Sequence, residues 1–404
     1  MKIIHLQNGM GPAGNAAYRL SCAMRKNGID SAVLTLYPCS DYEHVYSHSN
    51  VRYPLFKKVV NTVTNRIRLR GKLPDSYYYR VFSELGRNVI DNIHIQEADV
   101  IYVHWVAGAL SCLDIKQIIS LQKPVIFFMH DMWDFTGGCH HSFDCRQYET
   151  GCLNCPMFSE NKKTPHKQIE SLKSAFAEGN NFVFVSPSQW MASCARNSYA
   201  IKSPVFSIPN VVDETIFRPI NKREAKECLG LPLDKKIITF GCQSGTNNKY
   251  KGWRYLKEAM LKLSRQDVHI VVYGSDENKD SGLEIKYSIT NLGVITEEEK
   301  LAQICNATDV FVSPSLAESF GLTFLENILC NTPVVGFDNT AIPEIVKSGE
   351  TGYLASNRDS NDLALGIDKL LSSNLVPRIE YSTCEVIGKH KEIINTIFKD
   401  LSRC

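Results

Sequence analysis

Residues Glu318 to Gly336 read ESFGLTFLENILCNTPVVG, and they follow Asp309-Val310-Phe311-Val312-Ser313-Pro314-Ser315. The apolar run bounded by Ser and Pro predicts a buried parallel strand. Gly321 then lets the backbone approach a ligand closely, and Leu322 onward predicts a helix. The free N–H groups at the start of that helix, together with its positive dipole end, make an anion site suited to a phosphate. Glu318 precedes the helix and Glu326 lies one turn inside it. Two carboxylates eight residues apart can hold hydroxyl groups on either side of a bound phosphate. Pro333-Val334-Val335-Gly336 predicts the next strand.

This spacing, with Phe320-Gly321 between the acids, resembles the E-x7-E signature of the retaining glycosyltransferases of family 4, which have the GT-B fold. The resemblance implies that Glu318 contacts the transferred sugar and that Glu326 holds the ribose of the nucleotide. Phe320, Gly321 and Leu322 would line the donor site between them. The same family has a histidine after the fifth strand that contacts the transferred sugar. His130, ending Phe127-Phe128-Met129-His130-Asp131, takes that place, with Asp131 beside it shaping an acceptor pocket. His104 ends another predicted strand in the same way.

Strand and helix patterns alternate in both directions from the opening stretch. Strands are predicted at Ile3–Leu6, Ala32–Leu36, Val100–His104, Val125–Met129 and Phe182–Ser186 in the first half, and at Ile237–Gly241, His269–Gly274, Val310–Ser313 and Val334–Phe337 in the second. Helices are predicted at Asn15–Lys26, Ala109–Ser120, Pro165–Glu178 and Ser382–Ser402. Such alternation predicts an α/β protein with parallel sheets covered on both faces. At 404 residues the chain is too long for one core. The expected domains are 1–205, a Rossmann-like acceptor-binding domain, and 206–380, a Rossmann-like nucleotide-sugar domain. Residues 381–404 are expected to be a helix crossing back to the N-terminal domain, as in GT-B proteins. The segment Ile208–Asp213, continuing to Pro219, resembles the family's interdomain linker.

Gly9-Met10-Gly11-Pro12-Ala13-Gly14 matches G-x-G-x-x-G between a strand and a helix, so an NAD-dependent oxidoreductase is the rival reading. That fingerprint also needs an acid at the end of the second strand. Here the strand ends Thr35-Leu36-Tyr37-Pro38, and its only carboxylate, Asp30, is at the other end. We therefore set NAD aside and expect Gly11 and Gly14 to serve a phosphate or acceptor loop. Beyond the strand at 237–241, Lys251-Gly252-Trp253 resembles the lysine of the family's diphosphate clamp. Cys242 stands where the family has an arginine, leaving Lys249 or loop N–H groups to compensate. Gly274 and Val294, both after strands, are expected near the base. No D-x-D motif adjoins a strand end. A lysine and a helix N-terminus can neutralise a leaving diphosphate, so no catalytic metal is expected.

Composition narrows the partners. A net charge of +2 gives no general pull toward nucleic acid. The chain has no apolar run of 18 residues, and its N-terminus lacks a signal-peptide core, which predicts a cytoplasmic protein. From Arg52 to Lys72 there are seven Lys or Arg and no acid, interleaved with apolar residues. A stretch of that kind can dock peripherally on an anionic membrane surface at the inner face, or be a solvated helix. Fourteen Cys in that compartment argue against disulfides in general. Cys139, Cys145, Cys152 and Cys155 fall within seventeen residues. They predict a structural zinc, with His140 or His141 as alternative ligands, while buried thiols or a disulfide pair remain the other readings. The expected function is a retaining hexosyltransferase that takes a nucleoside diphosphate sugar and a glycan or lipid-linked acceptor, in surface polysaccharide synthesis. A nucleotide-sugar epimerase of the same fold and a non-catalytic nucleotide-sugar binder are the alternatives.

Overall fold

The computed structural model describes residues 1–39, 42–48, 59, 63, 87–158, 163–241, 248–275, 283 and 286–401. The chain divides into two compact units, Met1–Val211 with Cys384–Cys404, and Val212–Thr383. Each is built on one parallel sheet. The first holds β1 (Lys2–Gln7), β2 (Asp30–Thr35), β3 (Val45–Ser47), β4 (Val100–Val103), β5 (Val125–Phe128), β6 (Phe182–Ser186) and β7 (Val205–Ser207), in the order β3-β2-β1-β4-β5-β6-β7. The second holds β8 (Lys236–Gly241), β9 (Val268–Tyr273), β10 (Ser288–Asn291), β11 (Val310–Ser313), β12 (Val334–Phe337) and β13 (Gly352–Ala355), in the order β10-β9-β8-β11-β12-β13. Both are the two Rossmann-like sheets that the strand–helix alternation predicts.

The central strands are mostly apolar because helices cover both faces. Every residue of β4, β5, β6, β11 and β12 is buried. In the first unit Phe127, Phe176, Phe182 and Phe184 pack mostly edge-to-face, the geometry that ring quadrupoles favour. Helix Cys112–Ser120 begins later than the predicted Ala109 because Ser111 and Asp114 form a capping box there. The first unit also runs past the predicted end at 205. Strand β7 pairs with β6, placing Val205 opposite Phe184, so residues 205–207 belong to the first sheet. At the other end, Thr383 bonds to Glu214 and the Val212 carbonyl, keeping residues up to 383 with the second unit. Helix Thr383–Leu401 belongs to the first unit from Cys384 on, where Tyr102 Oη bonds His390 Nδ1 at 3.1 Å. Among the described residues no helix is long and apolar enough to cross a membrane.

In the second unit Asp309 ties the start of β11 to β8. Its carboxylate accepts from the Ile237 N–H at 2.8 Å and from Lys226 and Lys222 Nζ, each at 3.1 Å. Burial alone would raise the Asp309 pKa, but Lys222, the Ile237 N–H and Lys226 bring it below the usual value. Lys226 is itself buried. Asp309→Ala would leave that ammonium without its carboxylate, and we expect a loss of about 3–5 kcal/mol in the stability of this unit. Urea unfolding of the variant and the wild type checks it. An unchanged midpoint would mean that the pair contributes nothing.

Candidate functional site

In an open parallel sheet, ligands bind beyond the carboxyl ends of the strands, where the strand order reverses. These points lie between β1 and β4 in the first unit and between β8 and β11 in the second. Gly11 and His104 follow the two strands that flank the first point, and Lys251 and Glu318 follow the two that flank the second.

In the second unit the loops after β8 and β11 are joined by the Leu316 N–H donating to the Tyr250 carbonyl at 2.7 Å. A short helical turn, Lys249–Lys251, ends at Gly252, whose φ is +78°. A Cβ there would lie 1.9 Å from the Pro314 carbonyl oxygen, so only glycine lets these loops meet. Their meeting sets Lys251 Nζ 2.5 Å from Glu318 Oε1, both largely shielded from solvent. The Glu318 N–H is fixed in turn by Thr340 Oγ1 at 2.9 Å. Gly321, with φ of +95°, then starts helix Leu322–Leu329 with no side-chain cap and no acid in its first turn. Its opening N–H groups keep the positive end of the helix available for an anion.

Glu326 is buried in that helix at 3% exposure. Phe320 is also buried, and Leu322 is half-buried. Gly274, with positive φ, donates to the Gly293 carbonyl at 2.7 Å, which brings the segments after β9 and β10 together. Val294, next to Gly293, is exposed, as is Lys249. Cys242, where the arginine is missing, lies outside the described residues, as does the basic stretch 52–72 apart from Val59 and Val63.

In the first unit Gly11 precedes helix Pro12–Lys26 in an extended conformation, and neither Gly9 nor Gly11 has positive φ. A Cβ on either would meet nothing within 4 Å. Neither a strained turn nor close packing therefore demands glycine there; the backbone faces open space. Gly14 lies in the first turn of that helix.

His130 follows β5 and His104 follows β4. His104 Nδ1 lies 2.8 Å from His130 Nε2, and His104 Nε2 lies 2.8 Å from His5 Nδ1. The sequence reading did not single out His5, which sits in the apolar run of β1. Burial lowers the pKa of His5 to about 3 and of His130 to about 4, Asp131 partly opposing the shift at His130. His104 is pushed well below its ordinary value, by burial first and then by its histidine neighbours. Asp131 accepts from Trp105 Nε1 at 2.9 Å and from the Trp133 N–H at 2.8 Å, and its Oδ2 lies 2.6 Å from His140 Nδ1. Burial would raise the Asp131 pKa, yet His140 and the Trp133 N–H bring it down. Asp134, buried and close to the Asp131 charge, is pushed well above its ordinary value.

The cysteine-rich loop packs against the same unit. Cys139 lies against Cys155 and Phe158, and the four sulfurs are close enough to act on one another electrostatically. None is in a disulfide, and among the described residues no three His, Cys, Asp or Glu side chains stand where they would hold a metal ion. Further contacts hold the loop. Phe135 packs edge-on against Tyr148, His166 Nδ1 lies 2.7 Å from the Gly151 carbonyl oxygen, and the Tyr199 N–H donates to the Tyr148 carbonyl.

Residues 235–373 match a family model described as glycosyl transferases group 1. A D-inositol 3-phosphate glycosyltransferase of Mycobacterium marinum is 32% identical over 175 residues, which cover 40% of this chain and 36% of that protein. This chain thus aligns with little more than a third of that relative. Among solved structures, a glycosyltransferase from Rickettsia africae superposes with a TM-score of 0.66 at 15% identity, over 98% of both chains. The Anabaena protein HepE, in complex with UDP and glucose, superposes with a TM-score of 0.60 at 16% identity, over 100% of this chain and 98% of that one. The segment that carries Lys251, Glu318 and Glu326 is similar to group 1 glycosyl transferases, and the whole chain has the GT-B fold.

Proposed function

We propose that this protein is a glycosyltransferase that moves a sugar from a nucleoside diphosphate to a glycan or lipid-linked acceptor with retention of configuration. The observation that carries this reading is the Lys251–Glu318 pair beside the uncapped start of helix Leu322–Leu329. A leaving diphosphate gains negative charge as the glycosidic bond breaks. An ammonium and a helix N-terminus fixed beforehand stabilise that charge without reorganisation. Lys251 carries three N–H donors, and its ion pair with Glu318 fixes the ammonium where phosphate oxygens of the donor would come. Glu326, inside the helix, takes the ribose. Glu318 engages the sugar, and its ion pair with Lys251 makes it a weak nucleophile, which favours a front-face transfer over a covalent intermediate. His130 supplies a hydrogen bond to the transferred sugar. Surface polysaccharide synthesis, with the basic stretch 52–72 docking on anionic lipid, is the setting we propose for the acceptor.

HepE holds UDP and glucose, so UDP-glucose is the first donor to try, followed by GDP- and ADP-sugars. We expect one nucleotide sugar at millimolar concentration to raise the melting temperature and to be slowly hydrolysed, with both effects lost in Lys251→Ala. If no nucleotide sugar stabilised the wild type or was consumed by it, the proposal would fail. Stabilisation without turnover in the presence of acceptor glycans would instead favour a non-catalytic binder.

A further inference from the structure

The three histidines lie on one face of the first sheet, on adjacent strands. The register sets His5 opposite Tyr102 and pairs Val103 with Phe127. His104 is thus two residues beyond the partner of His5, and His130 is two beyond the residue opposite His104. Side chains two apart share a face, so the rings climb in file toward the carboxyl edge, with centroids 5.1 Å apart at each step. Behind His5 the file continues through hydroxyls. His5 Nε2 lies 3.1 Å from Ser31 Oγ, Ser31 Oγ lies 2.9 Å from Ser21 Oγ, and Arg25 Nη1 donates to Ser21 Oγ at 3.0 Å.

The arginine at the far end decides the direction of every bond. Arg25 can only donate. Ser21 is fully buried, and among the described residues its hydroxyl has just two partners, Arg25 and Ser31. If Ser31 also donated to Ser21, the Ser21 proton would be buried without an acceptor. Ser21 therefore donates to Ser31. By the same count the buried Ser31 hydroxyl donates to His5 Nε2. A neutral His5 then carries its proton on Nδ1 and donates to His104 Nε2. His104 likewise donates from Nδ1 to His130 Nε2. Bonds aligned in this way strengthen one another, starting from a charged donor.

We infer that His130 is held as its Nδ1–H tautomer, a hydrogen-bond donor toward a ligand oxygen, and that His5, His104, Ser31 and Ser21 are the positioning residues that hold it there. The inference deepens the proposed function only in taking His130 as a ligand contact. It makes His130 a donor and rules it out as a base at that nitrogen, because the other nitrogen already accepts from His104.

Nitrogen-15 NMR of the full chain with labelled histidine tests this directly, since long-range nitrogen–proton correlations separate the two tautomers. His130→Gln and His104→Gln assign the signals. At pH 7 we expect His5, His104 and His130 all protonated on Nδ1, although imidazole in water prefers Nε2. An Nε2–H His130 would overturn the inference. Ser31→Ala should return His130 to a mixture of tautomers and lower kcat with UDP-glucose, or the donor found active, by about tenfold, the scale of one neutral hydrogen bond. Donor KM should not change, and Ser31→Thr, which keeps the hydroxyl, should restore both readouts. A Ser31→Ala variant with an unmixed His130 tautomer, or with mixed tautomers and full kcat, would overturn the positioning role. If the wild type turned over no nucleotide sugar, the proposed function would fall, while the tautomer measurement would still stand or fail by itself.

Discussion

Lys251→Ala is expected to lower transfer turnover by about a hundredfold or more, and Glu318→Ala by the same order, the usual scale for removing a preorganised charge contact. Both expectations rest on one contact, the 2.5 Å ion pair that Gly252 and the joined loops hold in place. Lys251→Ala removes the cation that meets the leaving diphosphate, so kcat should fall more than donor KM rises. Glu318→Ala removes the carboxylate beside the ammonium, which can then hold the diphosphate more tightly in the ground state. Donor KM should therefore stay level or drop while kcat falls, the pattern of an interaction made chiefly in the transition state. The double variant should lose far less than the product of the single losses, because each side chain needs the other to be positioned. Glu326→Ala, inside the helix, should mainly raise donor KM. Steady-state kinetics on the four variants decides among these outcomes. If both single variants kept near wild-type kcat, the site would be misassigned.

The parts of this site that a reader can find in the sequence are those whose chemistry is local. Glu318 and Glu326 announce themselves because an acid pair straddles the glycine that starts a helix, within one continuous stretch. The central strands are equally legible, since a strand buried on both faces is a run such as VIFF at β5 or VFVS at β11. Strands β3, β7 and β13 are three or four residues long, on or next to a sheet edge, and partly exposed. Neither length nor periodicity marks them, and missing β7 is what put the domain boundary too early. His5 shows a second kind of limit. Within KIIHLQ it reads as one more core residue. Its partners are 26 and 99 residues away, and only the sheet register lines them up. The cysteine loop shows a third limit. Its spacing predicts that the thiols cluster, and the four sulfurs do lie close together. The aromatic packing and backbone bonds of Tyr148 and Gly151 that also hold the loop, however, join residues well apart in sequence.

The buried histidines also predict how the first unit responds to acid. His5, His104 and His390 are at most 1% exposed, and burial is the first cause lowering the pKa of each. His5 and His390 are brought to about 3. In the unfolded chain these imidazoles regain a pKa near 6.5. Between the two values the unfolded state binds protons that the folded state refuses, so unfolding is favoured as pH falls. The stability at stake is fully present above pH 6.5 and is lost progressively below it, down to the folded-state values. At pH 5 His5 and His390 have each cost about 2 kcal/mol, about 4 kcal/mol together, and His104 adds to the loss in the same direction. That is a large share of the stability of an ordinary domain. Asp131, whose pKa is depressed, adds a loss only below the normal carboxylate range and does not contribute in this window. Asp134, whose pKa burial raises, is instead favoured in the folded state as pH falls and offsets part of the histidine loss. We expect the transition of the first unit, followed by the fluorescence of buried Trp133, to move steeply downward in temperature between pH 7 and pH 5. His390→Phe removes one titrating ring next to Tyr102 and Phe128. It should make the pH dependence shallower by about one proton, whatever it does to stability at neutral pH. An equal melting temperature at pH 7.5 and pH 5 would mean that these rings are not buried as neutral imidazoles, and the hydrogen-bonded file leading to His130 would lose its basis.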